Sequence, residues 1–250
     1  MLTNKDKIPT IIEPTVQVLF ETIKEQEVGT TVVPKYSISF EDGYYTYGTA
    51  TTSPDITGVK ILSCQITDGI ESFDGLEGTF NELIVKDNIN WHITATINYS
   101  DGLIPLTLLG KEYPEGQIKA NSASFESSVL TSYRSFFYGM TDIVGEINST
   151  LIRSLENGGK YNDKKILTLI ASKPCTRSII AIPENNNRGG LVSAILKSSL
   201  NIPITSEYKK LENTVLVEGV NGYTAIPYNV WVYEPGAGIG ADEIHEIVLE

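Results

Sequence analysis

The sequence predicts a mainly β chain: a β-sandwich first, then a smaller β-rich α+β domain. Three observations carry this. From Val28 to Gly48 the chain reads VGTTVVPKYSISFEDGYYTYG, alternating β-branched or aromatic residues with polar ones, as half-buried strands do. Short runs of the same kind recur between Gly, Pro, Asp and Asn clusters through the first hundred residues. The length of 250 residues exceeds the roughly 100–150 of a common single domain, so two cores are expected.

Residues 1–12 read as an extended arm, and IIEPTVQVLFETI carries the first strand signal. Candidate strands at 15–22, 34–40, 45–47, 59–67, 78–85 and 91–99 have the spacing of short antiparallel strands. They make an immunoglobulin-like pair of layers over residues 13–140. Trp91, Ile93, Ala95 and Ile97 share one face, with His92, Thr94, Thr96 and Asn98 on the other, which places Trp91 in the core. YSDGLIPLTLLGKEYPEGQIKANSAS is punctuated by Pro and Gly and reads as an extended connection with short pairings. SVLTSYRSFFYGM then crowds aromatic residues. Tyr133, Phe137 and Tyr138 are expected to be buried in one domain or between both, with the domain boundary near Thr141.

Residues 141–250 are expected to form the α+β domain. Ile143, Ile147, Leu151, Ile152 and Leu155 recur at helical spacing ahead of Gly158 and Gly159, which predicts one helix. KKILTLIAS and SIIAIPE read as strands. The loop at 185–187 leads through Arg188, Gly189 and Gly190 into LVSAILKSSL, a second helix candidate. TVLVEGV, YNVWVYEP and EIHEIVLE are three further strands, divided by Asn221-Gly222 and by the glycine-rich turn after Pro235.

Composition narrows the function. The chain is 41% hydrophobic and 20% charged, too apolar for general disorder, and no run approaches the roughly 18 apolar residues of a membrane span. Membrane insertion is not expected, and Met1 to Thr10 lacks the apolar stretch of an export signal. Nineteen basic residues against thirty-one acidic ones give a net charge of −12, which opposes nucleic-acid binding. Cys64 and Cys175 stand far apart and outside any CxxC spacing, so a reduced cytosolic state is expected.

Catalytic signatures are weak throughout. Gly236, Gly238 and Gly240 follow a strand as GxGxG, not GxGxxG, with too little chain after them for a βαβ unit, so a hairpin loop is expected and not a nucleotide site. His92 and His245, the two histidines, lie in strand-like alternations with no second ligand at metal spacing and read as surface positions. No GxSxG elbow supports a serine nucleophile. Asp68, Glu71, Asp74 and Glu77 lack the EF-hand order of ligands and read as a solvated acidic loop. No carboxylate pair for glycoside hydrolysis can be singled out. Neither catalytic nor cofactor nor metal residues are therefore assigned. Among thirteen tyrosines, Tyr44, Tyr45, Tyr47, Tyr113, Tyr133 and Tyr138 could present rigid rings to a sugar or a protein, against the commoner role of half-buried strand filler.

VGTTVVPKYSISFEDGYYTYG, INWHITATINYSDGLIPLTLLG, GQIKANSAS and SYRSFFYG together resemble an immunoglobulin-like module of tailed-bacteriophage virion proteins, particularly of phages infecting gut anaerobes and crAss-like phages. IRSL, IIAIPE and VEGVNGYTAIPYNVWVYEPGA are similar to the domain that follows it. The resemblance implies a non-enzymatic structural component of head fibre, collar, tail or baseplate, made in the host cytoplasm and placed in the virion. Its partners would be other virion proteins, further copies of itself and a host surface glycan or protein. The short arm before the first strand favours a compact component over a shafted fibre. Tyr133, Phe136, Phe137, Tyr138, Trp231 and Tyr233 are the expected packing residues between domains or subunits. The alternative function is a carbohydrate-binding module for host capsular glycan.

Overall fold

The computed structural model describes residues 6–20, 24–47, 55–161, 166–184 and 190–250, without the side chains of residues 55 and 56. Gly48 of the TYG turn, the 185–187 loop, Arg188 and Gly189 lie outside the described residues. The chain is mainly β, with 52% strand against 6% helix. It divides into two compact units, one of Met1–Lys24, Val32–Leu83 and Ile89–Thr131, the other of Glu25–Thr31, Ile84–Asn88 and Ser132–Glu250. Neither unit is a single stretch of chain, and the last crossing between them follows Thr131. The strand Ser135–Thr141, which the aromatic run had assigned to the end of the first domain, belongs to a sheet of the second unit, between Asn157–Lys160 and Arg177–Pro183.

In the first unit, Asn121–Tyr133, Asn90–Tyr99, Ile61–Thr67 and Ser72–Asp74 follow one another in an antiparallel ladder. A second sheet runs Glu77–Thr79, Lys35–Glu41, Thr15–Phe20. Trp91, Ile93, Ala95 and Ile97 are buried on one face, as their period-two spacing predicts. Trp91 and Phe80 meet edge to face at 4.9 Å, joined by Phe20, Phe73 and Tyr36 from both sheets. The Trp91 indole donates to Asp68 Oδ2 at 2.9 Å, while Oδ1 caps the hairpin by accepting from Ile70 and Glu71 N–H. Burial works to raise the Asp68 carboxyl, but these donors outweigh it and hold the group below the ordinary value.

The connection after Tyr99 is extended, with a Leu106–Glu112 bridge and one short 3-10 turn at Pro114–Gly116. Tyr45 anchors it. Its hydroxyl donates to the Leu103 carbonyl and accepts from Ile118 N–H, 3.0 and 3.2 Å away.

The second unit has a six-stranded and a four-stranded sheet. The first runs Asn157–Lys160, Ser135–Thr141, Arg177–Pro183, Ile226–Tyr233, Lys209–Lys210, with Val215–Val217 also on Ile226–Tyr233. The other runs Ile166–Ile170, Ile244–Leu249, Leu191–Leu196, Ile202–Pro203. Ile180 and Ile182 face Leu167, Leu169, Ala194 and Ile247 of the four-stranded sheet. Ile179 and Ala181 point the other way, into a core with Val230, Leu151 and Ile152. Covered on both faces, Arg177–Pro183 is buried at every position, which is why SIIAIP is continuously apolar and not alternating.

The expected first helix is confined to Ser149–Arg153. Asn148 caps it, its side-chain oxygen accepting from Leu151 N–H at 3.0 Å, whereas Ile143 stays half exposed upstream. The second predicted helix is instead the strand Leu191–Leu196. Leu191, Ala194 and Ile195 fit helical spacing, but pairing with Ile244–Leu249 satisfies the backbone, and tertiary context overrides a weak local preference.

Candidate functional site

Phe136 and Phe137 are neighbours on one strand and so enter different cores, Phe136 with Tyr233 in the one and Phe137 in the other. All three are buried within the second unit. Tyr138 stacks on Phe136 at 5.3 Å, and Trp231 packs half-buried against the same core with Lys210 over its ring. Tyr133 is half-buried. Burial, followed by the charges of Glu27 and Glu25, raises its phenol. Tyr45, one of the tyrosines considered for a sugar platform, is almost wholly buried, whereas Tyr44 is exposed.

The second unit contains a polar chain that sequence reasoning missed. Ser178 Oγ lies 2.8 Å from the Tyr208 hydroxyl, which lies 2.8 Å from His245 Nδ1, and His245 Nε2 lies 2.9 Å from Glu243 Oε1. His245 was expected on the surface and is fully buried. It shares parity with Ile247 and Leu249 on Ile244–Leu249, and both of those enter the core. Ser178 shares the corresponding face of Arg177–Pro183 with Ile180 and Ile182. The chain therefore spans the two sheets through Tyr208, which stacks on Tyr233 at 5.4 Å, while Tyr233 meets the His245 ring edge-on at 4.9 Å.

The electrostatics assign the protons. Burial lowers the His245 pKa against the opposing pull of Glu243, so the imidazole is neutral at neutral pH. Burial also pushes the Tyr208 phenol far up, so it keeps its proton. With Nε2–H donating to the Glu243 carboxylate, Nδ1 accepts from Tyr208, whose oxygen in turn accepts from Ser178. The chain has the residue types of a nucleophile relay, but Ser178 is fully buried, with no solvent-facing surface at which a substrate could meet it. Its physical effect is to satisfy polar groups within the core and to tie one sheet to the other.

A buried charge sits at Arg134. Its guanidinium makes a two-point contact with Asp87, Nε to Oδ1 at 2.7 Å and Nη2 to Oδ2 at 2.6 Å, with the arginine side chain 6% exposed. Among the acids considered for calcium, Asp68 and Glu71 are engaged in the hairpin and with Asn81. No group of three or more potential metal ligands occurs among the described residues. Gly236, Gly238 and Gly240 form the turn region leading toward Ile244–Leu249, closed by Gly238 N–H donating to the Pro235 carbonyl at 2.9 Å. Cys64 and Cys175 are buried and free. No helix among the described residues is long and apolar enough to cross a membrane.

Two grooves of comparable size are open. One, about 700 Å³, lies in the second unit beside Arg177, Glu207, Lys209, Val232 and Tyr233. Arg177 is turned inward there, donating to the Ile143 and Gly145 carbonyls at 3.0 Å. The other, about 680 Å³, lies in the first unit and is lined by polar groups including Glu13, Gln117, Lys119, Asn121, Ser122 and Ser124. No protein-family model, curated protein or solved structure matches the chain. The phage resemblance accordingly rests on the sequence motifs.

Proposed function

We propose that this chain is a non-enzymatic structural protein of a tailed-bacteriophage particle. In this reading the N-terminal unit is an immunoglobulin-like sandwich, and both units present rigid β surfaces to other virion proteins, to further copies of the chain and to the host surface. The observation that carries the proposal is the fate of the strongest chemical constellation. Ser178, Tyr208 and His245 are sealed in the core and hold two sheets together, so that the residue types of a relay serve rigidity. Two motifs of the resemblance meet in the second unit: Val220 N–H donates to the Val28 carbonyl at 2.8 Å, joining VGTTV to VEGVNGY. Mass spectrometry of gradient-purified particles encoding the chain tests the proposal. The expected result is recovery in fixed proportion to the major particle proteins, and absence from intact particles overturns it.

A second reading, a carbohydrate-binding module, is favoured by the polar groove at Gln117, Lys119, Asn121 and Ser122, which offers the hydrogen-bonding groups that sugars need. A glycan array probed with the purified chain distinguishes the two. Saturable binding lost on Asn121→Ala supports the carbohydrate reading.

A further inference from the structure

We propose that the strand Ile166–Ile170 pairs antiparallel with the same strand of a second copy, across a two-fold axis through Thr168. The argument begins with the edge. Ile166–Ile170 is an outer strand of the four-stranded sheet and takes its one described partner, Ile244–Leu249, on one side. Lys197 N–H donates to the Ile244 carbonyl, so even-numbered residues of Ile244–Leu249 direct their backbone groups to Leu191–Leu196 and odd-numbered ones to Ile166–Ile170. Their partners Leu167 and Leu169 therefore face inward along the ladder. The N–H and carbonyl groups of Ile166, Thr168 and Ile170 point to the open side.

Among the described residues, the other outer strands of the six- and four-stranded sheets are blunted. Lys209–Lys210 consists of two lysines, Asn157–Lys160 carries two glycines and a lysine, Ile202–Pro203 ends in proline, and Val215–Val217 has three residues. Ile166–Ile170 contains no charge, glycine or proline. Ile166 and Ile170 are 59% and 55% exposed. Natural proteins protect such an edge or use it.

The sequence of the strand selects its occupant. Ile-Leu-Thr-Leu-Ile reads the same in both directions. A two-fold through Thr168 sets Thr168 against the partner's Thr168, Ile166 against the partner's Ile170 and Leu167 against the partner's Leu169. Residue parity is kept, so Leu167 and Leu169, buried in the core, continue the inner face of one sheet into that of the other. Ile166 and Ile170 form two cross-strand apolar pairs on the outer face, continuous with Val248 and Ile244 beside them. The outward backbone groups of the two strands then exchange about six hydrogen bonds, and the two four-stranded sheets become one. A second copy fits this edge without any change of register, which an unrelated strand would meet only by chance.

This makes specific the self-association within the proposed function, but it stands on one strand and is tested by solution mass, so it can fail while the particle assignment holds, and the reverse. The 250-residue chain is expected to sediment at twice its 27.4 kDa mass. Ile166→Lys with Ile170→Lys places like charges opposite each other at both apolar pairs and weakens the dimer at least about tenfold. Ile166→Lys with Ile170→Glu places opposite charges there and restores it. Both double variants alter exposed side chains, and circular dichroism checks their folding. Thr168→Cys is expected to give a disulfide-linked dimer on oxidation, since directly opposed residues in a hydrogen-bonded pair lie within disulfide reach, whereas Val192→Cys, exposed on another strand, does not. A monomer throughout, or a dimer indifferent to the lysine pair, overturns the proposal.

Discussion

The Tyr208 hydroxyl lies 2.8 Å from His245 Nδ1, and this contact, with Glu243 on Nε2, fixes the tautomer of a buried imidazole. Tyr208→Phe removes the middle of the chain. It leaves the Ser178 hydroxyl and His245 Nδ1 without their partner in the core. The ring still stacks on Tyr233, so the lost hydrogen bonds dominate the change. Urea denaturation is expected to show a loss of about 1–3 kcal/mol.

Proton linkage gives His245 a distinct signature. Its folded pKa is lowered from the ordinary value of 6.5, so the unfolded chain takes up a proton more readily. The stabilisation is whole above that ordinary value and is lost as pH falls from there through the folded pKa. Glu243, Tyr208 and Tyr233 face the imidazole, and none supplies a second carboxylate. Urea midpoints measured from about pH 7.5 down to 5.5 are expected to fall more steeply for the wild-type chain than for His245→Gln.

Gly29 of the VGTTV motif and Gly145, which lies outside the motifs, can be separated by what surrounds them. Gly29 has φ +92°, and a β-carbon there would lie 2.2 Å from the Val220 carbonyl oxygen. Gly145 has φ +106°, but nothing lies within 4 Å of its β-carbon position. Gly29→Ala therefore combines backbone strain with a backbone clash, and a loss on the order of 2–4 kcal/mol is expected. Gly145→Ala meets strain alone, about 1–2 kcal/mol. Thermal unfolding of the two variants side by side measures the difference.

Where one face of a strand is wet, the sequence was readable. Trp91, Ile93, Ala95 and Ile97 declare their face because His92 and Asn98, opposite them, are exposed. Leu191–Leu196 is ambiguous in sequence because Leu191, Ala194 and Ile195 suit either period, and only the neighbouring strand decides between them. His245 is ambiguous for a related reason. Ile244 and Val248 are apolar on one parity, Ile247 and Leu249 on the other, so alternation could not say which face was inner. Only the structure decides it, by burying Ile247 and Leu249. The rest of the polar chain was out of reach: Tyr208 stands 37 residues from His245 and 30 from Ser178, and no local pattern joins them.

Arg134 and Asp87 form the remaining test, because one end of the pair is far more buried than the other, 6% against 36% exposed. Asp87, by hydrogen bond and charge, raises the guanidinium pKa further, against the opposing effect of burial. Asp87→Ala leaves a nearly buried cation without its counter-charge, and a loss of about 3–5 kcal/mol is expected. Arg134→Met removes the cation itself and leaves a carboxylate that water can reach, so its cost is smaller. If desolvation governs, the double variant is more stable than Asp87→Ala alone, since the second change removes the group that the first stranded. A double-mutant cycle in urea reads this directly. Additive losses instead would mean that Arg134 acts through the packing of its methylene stem, and not through its charge.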